Sequence, residues 1–157
     1  MEAMKSVLAW MWTLHLLLAL WLSTGVFASA VVLAQVKRAR DRSERFFGIR
    51  LVWRLMTVFI VPGVLITGAL GFYLVSGFQY GFALGWVKAS IVLYLLVLGG
   101  ILFYQVPHFR KAVRAGEAGD TGELDRLALA KGPAMLTHLI ALAIVVMIIL
   151  MAMKPTP

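Results

Sequence analysis

The sequence predicts an all-α membrane protein: one domain over residues 1–157, folded as a four-helix transmembrane bundle. Three observations predict it. The chain is 62% apolar and 14% charged, with a mean hydropathy of +0.92, where a soluble domain is about half apolar and a quarter charged. Four apolar runs each reach the ~20 residues that a helix needs to cross the hydrocarbon core. The Lys and Arg residues crowd into two of the connections between those runs, the pattern of cytoplasmic loops. That crowding assigns the formal charge of +8 to topology and anionic lipid rather than to nucleic acid. There is no cysteine, so disulfides, thiolate metal sites and cysteine catalysis are excluded.

The first span covers residues 7–36. As a helix it is about 45 Å long, more than the ~30 Å core, so it tilts or its Ala30–Val36 end projects. Ala28-Ser29-Ala30 has the look of a signal-peptide cleavage site, but the run is too long and a basic segment follows, so a retained span is expected. Residues 37–54 form the first cytoplasmic loop, with seven Lys or Arg against two acids. It should be helical and lie against anionic headgroups.

The second span, 55–75, carries Pro62-Gly63, and a kink is expected there because proline lacks a donor and crowds the preceding turn. Gly68 and Gly71 allow a neighbouring helix to come close. Ser76–Gly81 should turn at headgroup level. The third span, 84–106, opens with Trp86 and Lys88 and is expected to end at Pro107. Residues 107–132 form the second cytoplasmic loop, with five Lys or Arg and a short capped helix at Thr121–Leu129. The fourth span, 133–153, starts at Pro133, a favoured first helical position, and a short polar tail follows. The result is two out-in-out hairpins with both termini periplasmic.

An ionisable residue at membrane depth is a functional candidate by default, and His15 is the one buried well inside a span. At 1.5 Å per residue it lies roughly 12 Å from the outer boundary. Thr67-Gly68 lies at a similar depth, Met147 at roughly 9 Å and Lys88 at roughly 6 Å. His138 sits near the cytoplasmic end, about 10 Å off the level of His15, so the two are not paired as haem ligands. His108 is expected to be solvated.

His15 has two readings. It is either a neutral ring hydrogen-bonded to Thr67 or a carbonyl, or a haem or copper ligand or proton carrier. Gly68 either leaves space for a flat cofactor or permits tight packing. Lys88 either snorkels into an aromatic belt or pairs with an anion such as a haem propionate. Met147 and Met151 share a face near the outer surface, as apolar filling or as soft thioether ligands. There is no H-E-x-x-H, G-x-S-x-G or phosphate-loop motif. No acidic residue lies in a span, which argues against a carboxylate-driven pump.

Trp12-x-x-His15, Ser23-Thr24-Gly25, Val61-Pro62-Gly63-Val64-Leu65-Ile66-Thr67-Gly68 and Trp86-Val87-Lys88 together resemble a bacterial predicted integral-membrane family, a domain of unknown function, near the HemJ-like and CopD-like proteins. The likeness covers nearly the whole chain and implies a multi-pass protein of the bacterial inner membrane. HemJ-like proteins bind haem b, oxidise protoporphyrinogen IX, and use a first-span histidine and a lysine after a tryptophan in a later span. The matching positions here are His15 and Lys88. This chain departs from that pattern at Ala19, where a methionine is expected one turn after the histidine, and it lacks the histidine near the end of the lysine span. The departure puts the porphyrinogen oxidase activity in question. CopD-like proteins are associated with copper handling.

The leading expectation is a small haem b protein with a redox or electron-transfer role. His15 would be the axial metal ligand, Lys88 the propionate partner, Thr67 and Gly68 the facing wall, and Met147 a second ligand. The competing expectation is a non-catalytic accessory subunit of a larger membrane complex or homo-oligomer, and a third is copper handling. No catalytic residue is assigned.

Overall fold

A computed structural model describes residues 2–77 and 84–153, with side chains from Ser6 onward. Most of the turn expected at 76–81, and the tail at 154–157, lie outside the described residues. Every element described is helical. Four helices are long and apolar enough to cross a membrane.

Helix α1, Glu2–Arg38, is 37 residues long, about 55 Å, and it outruns the bilayer core as expected. Helix α2, Arg42–Leu55, passes through a π turn at Met56–Ile60 into α3, Val61–Gly77. Helix α4, Gly85–Gly99, passes through a second π turn at Gly100–Gln105 into α5, Val106–Glu117. Helix α6 is Thr121–Ala128 and α7 is Lys131–Met153.

Pro107 therefore does not end its helix, contrary to the sequence expectation, and the π turn is the reason. A proline clashes with the carbonyl four residues back in a regular α-helix. Here the Val106 N–H reaches back five residues, to the Ile101 carbonyl, and the widened turn moves the obstructing backbone aside. The same device precedes Pro62, where the Val61 N–H bonds to Met56 O. The irregularity expected at Pro62 thus takes the form of a π turn.

The basic ends of the helices are closely packed. Ile49, Val52, Phe109 and Ala112 are fully buried there, joined by Leu33 and Val36 of α1 and Leu124 of α6. A Schellman turn closes α5: Asp120 N–H bonds to Ala115 O and Gly119 N–H to Gly116 O, with Gly119 at φ +73°, a conformation that suits glycine. Asp120 then caps α6, its side chain accepting from the Glu123 N–H. This gives the short capped helix expected there. The Arg45 guanidinium donates to the Ala39 carbonyl and, at 3.0 Å, to Asp125, tying the end of α1 to α2 and α6.

His108 is not solvated, as the sequence suggested, but half-buried. Continued helix through Pro107 turns it toward α6, where it meets the Leu127 carbonyl at 3.1 Å and stacks on Tyr104. His138 donates to Ala134 O within its own helix.

A second cluster fills the middle of the bundle: Leu22 and Val26 of α1, Ile60, Val64, Val97, Ile101, and Ile140 and Ile144 of α7. Helix α1 packs on α2, α3 and α7, and α4 packs on α7. Helices α3 and α4 approach each other only sparingly. Leu20, Leu17, Leu96, Phe103 and Leu142 are among the large apolar side chains left outward. In water that surface would be a liability, and in lipid it is the expected exterior.

An apolar cleft with unpartnered polar atoms

Toward the chain termini the helices part around a cleft of about 110 Å³. Each long helix contributes one face to it. Helix α1 presents His15, Ala19 and Leu22, and α3 presents Thr67, Gly68, Gly71 and Phe72. Helix α4 presents Trp86, Ser90 and Tyr94, and α7 presents Ile144, Met147 and Met151. The walls are almost wholly apolar.

His15 is 4% exposed. It stacks on Trp12 one turn earlier, with ring centroids 6.3 Å apart. Its Nδ1 has no hydrogen-bond partner. Gly71 makes room for the ring, because a Cβ there would stand 3.2 Å from the His15 Cε1.

Two further polar atoms lack partners, Thr67 Oγ1 and Ser90 Oγ. Among the described residues these three are all of the buried side-chain polar atoms without a partner, and all three residues line this cleft. The contrast with the other hydroxyls is direct. Thr13, Ser23, Thr24 and Ser29 on α1, and Thr57, Ser76 and Thr137, each donate to a carbonyl three or four residues earlier. That back-bond is the ordinary way for a helix in lipid to satisfy a hydroxyl. Thr67 and Ser90 (6% exposed) do not make it.

The space above Gly68 is filled by Tyr94, whose hydroxyl donates to Val64 O at 3.2 Å. Phe72 meets Tyr94 edge to face, with centroids 6.1 Å apart, so this aromatic pair bridges the sparse seam between α3 and α4.

Four of the five residues singled out from sequence, His15, Thr67, Gly68 and Met147, come together in this cleft. Lys88 does not line it and is exposed. It lies two residues from Trp86 and from Ser90, about 200° around the helix from each, so it faces away. Sequence reasoning passed over Ser90 and Tyr94, and noted Trp86 only as the neighbour of Lys88. The available signal was their four-residue spacing, which puts them on one helical face.

His15 and Met147 are donors of the kinds that bind haem iron or Cu(I). Room is another matter. Sites for drug-sized molecules run from about 300 to 1,000 Å³, and a porphyrin does not enter about 110 Å³ with Tyr94 standing over Gly68. Among the described residues no group of three or more His, Cys, Asp or Glu is placed to hold a metal ion.

A family described as "Predicted integral membrane protein (DUF2269)" matches residues 9–155. The chain belongs to this family. The membership and the four candidate spans make it a multi-pass integral membrane protein. No curated protein and no solved structure matches the chain. The description of the DUF2269 family names neither a ligand nor a reaction.

Proposed function

We propose that this DUF2269 protein binds a small, membrane-dissolved molecule in the cleft around His15. The observation that carries the reading is that the three residues with unpartnered buried polar atoms all line one apolar cleft. Leaving buried polar groups unsatisfied costs about 1–3 kcal/mol each, so a site that collects them is built for an occupant that pairs with them. The lining is apolar and the α3–α4 seam is thin, so the occupant arrives sideways from the bilayer.

The protein sits in the bacterial inner membrane with both termini periplasmic, which puts the cleft in the outer half. The support is the gathering of Lys and Arg on α2, α5 and α6, at the opposite end. Those basic residues rest against anionic headgroups on the cytoplasmic face.

Haem b with His15 as axial ligand is a second reading, favoured by the free Nδ1 and by Met147 in the same lining. It requires Tyr94 to swing off Gly68, and no step is built on it. One preparation tests both. The full-length protein is purified in mild detergent, its absorption spectrum is taken oxidised and reduced, and its bound small molecules are extracted and weighed by mass spectrometry. A stoichiometric apolar species, lost when Ala19→Phe fills the cleft, supports the first reading. A Soret band lost in His15→Ala supports the second. A colourless protein that carries nothing, but holds a partner through purification, overturns both in favour of an accessory subunit.

A further inference from the structure

Among the described residues, two of the four long helices carry π turns, and both turns fall between the packed end and the cleft. Helix α3 follows Met56–Ile60 and α4 precedes Gly100–Gln105, whereas α1 and α7 run as regular α-helix. On the far side of each π turn stand α2 and α5, packed together through Ile49, Val52, Phe109 and Ala112. The two segments that leave this anchored end, α3 and α4, are the ones that meet only sparingly. We propose that α4 is a hinged arm that pivots at Gly99-Gly100 and is latched to α3 by Tyr94, across the seam beside the cleft. That the arm admits a ligand rests on the ligand-binding reading above; the motion itself does not.

The glycine pair locates the pivot. Glycine is the poorest helix former after proline, so its place inside a helix needs a reason. At Gly25, Gly63 and Gly68 the reason is steric, because a Cβ there would crowd Phe59, Leu22 and Tyr94 in turn. Gly99 and Gly100 have no such reason. Nothing among the described residues lies within 4 Å of a Cβ at Gly99, and one at Gly100 would meet Leu136 at an ordinary 3.4 Å. Both have a φ of −60°, open to any residue. What a glycine pair adds at a π turn is freedom to bend, and π turns are where helices kink.

Packing decides which arm moves. Helix α3 is fixed to α1 along its length: Leu22, His15 and Leu8 come within 3.2 Å of where a Cβ would stand at Gly63, Gly71 and Gly77. Helix α4 is anchored in the central cluster by Val97, beside the glycine pair. Farther along, Met147 and Met151 of α7 line the cleft with it, and such unbranched side chains follow a moving neighbour. Toward α3 it has the Tyr94 hydroxyl, which donates to Val64 O at 3.2 Å, and the Tyr94 ring, edge to face with Phe72. One hydrogen bond and one aromatic contact are a modest hold, of the size that leaves an open state populated.

The chain has no cysteine, so a pair introduced for spin labels reports alone. Tyr73→Cys with Val92→Cys spans the α3–α4 seam, and Phe47→Cys with Arg110→Cys spans the packed end between α2 and α5; all four positions are exposed. Distances are read by pulsed electron resonance on the full-length protein in lipid nanodiscs, with no ligand added. The seam pair is expected to give two distances and the packed-end pair one. Tyr94→Phe keeps the ring and removes the latch bond, and should raise the ratio of long to short distance about fivefold, the worth of one net hydrogen bond. Gly99→Ala with Gly100→Ala should lower that ratio several-fold, and neither methyl meets a clash that would unfold the protein.

A single narrow distance across the seam would overturn the arm and leave the ligand-binding reading standing. A ratio unmoved by Tyr94→Phe would overturn the latch, and one unmoved by the alanine pair would overturn the hinge. If the distances behave as expected but the purified protein carries no bound species, the motion stands and the ligand-binding reading falls.

Discussion

The two ends of the bundle treat their polar groups in opposite ways. At the basic end Arg45 has a carbonyl and a carboxylate, and His108 has the Leu127 carbonyl. Just inside that end, Gln105 donates to Thr137 at 2.9 Å, and Thr137 donates in turn to Pro133 O. At the terminal end His15 Nδ1, Thr67 Oγ1 and Ser90 Oγ are buried without a partner, in three residues that line the cleft. The first end is finished as it stands. The second leaves three buried polar atoms that no group among the described residues satisfies. Satisfied buried networks rigidify, and unsatisfied ones sit at a cost that an occupant relieves.

The comparison breaks most visibly at Phe109, the largest of the fully buried side chains. Phe109→Ala should destabilise the fold by about 3–5 kcal/mol, because a packed cluster cannot collapse around the void. Denaturant titration in detergent reads it. A loss no greater than that of Val87→Ala, which only enlarges the cleft, would mean that the basic end is not the better packed one.

Gly68→Ala comes next. The new methyl overlaps the Tyr94 ring and hydroxyl, so Tyr94 must leave its bond to Val64. Overpacking of this kind costs about 1–3 kcal/mol. Tyr94→Phe in the same background should recover little of it, since the ring still collides.

Removing one hydroxyl at each end sharpens the contrast through its sign. Thr137→Val strands the Gln105 amide and should cost about 1 kcal/mol. Ser90→Ala removes a group with no partner and should leave the empty protein unchanged or up to about 1 kcal/mol more stable. A clear loss of stability in empty S90A would show that Ser90 already has a partner.

The smallest effect is a titration outside the spans. The Ser43 hydroxyl donates to Asp41 at the start of α2 and holds its carboxyl below the ordinary 3.8. A depressed acid contributes stability above its unfolded pKa and loses it as pH falls through the lowered folded value. Ser43→Ala should therefore move the Asp41 titration upward, as followed by carboxyl NMR, and lower stability slightly at neutral pH, a loss that vanishes below the folded pKa.

Much of the site was legible before folding was considered. Counting 1.5 Å per residue puts His15, Thr67 and Met147 at nearly one level, and the cleft forms there. The same count misjudged Lys88, because it yields height and not rotation about the axis. Lys88 shares a level with Trp86 and Ser90 but not a face. Gly68 was legible as a place of close approach. That the approaching group is the Tyr94 ring depends on how α4 is turned against α3.

By itself, the sequence determined that this is a four-helix membrane protein, with its positive charge at one end and an imidazole buried at the other. Apolarity is a sum along the chain, and a run of ~20 apolar residues needs no neighbour to prefer lipid. Only the tertiary structure decided that helix continues past Pro107, which hydroxyls go unpaired and that the space lies beside them. Those outcomes depend on distances and rotations between helices far apart in sequence. Composition carries no trace of them, since a hydroxyl that back-bonds and one that goes unpaired are the same residue until their neighbours are placed.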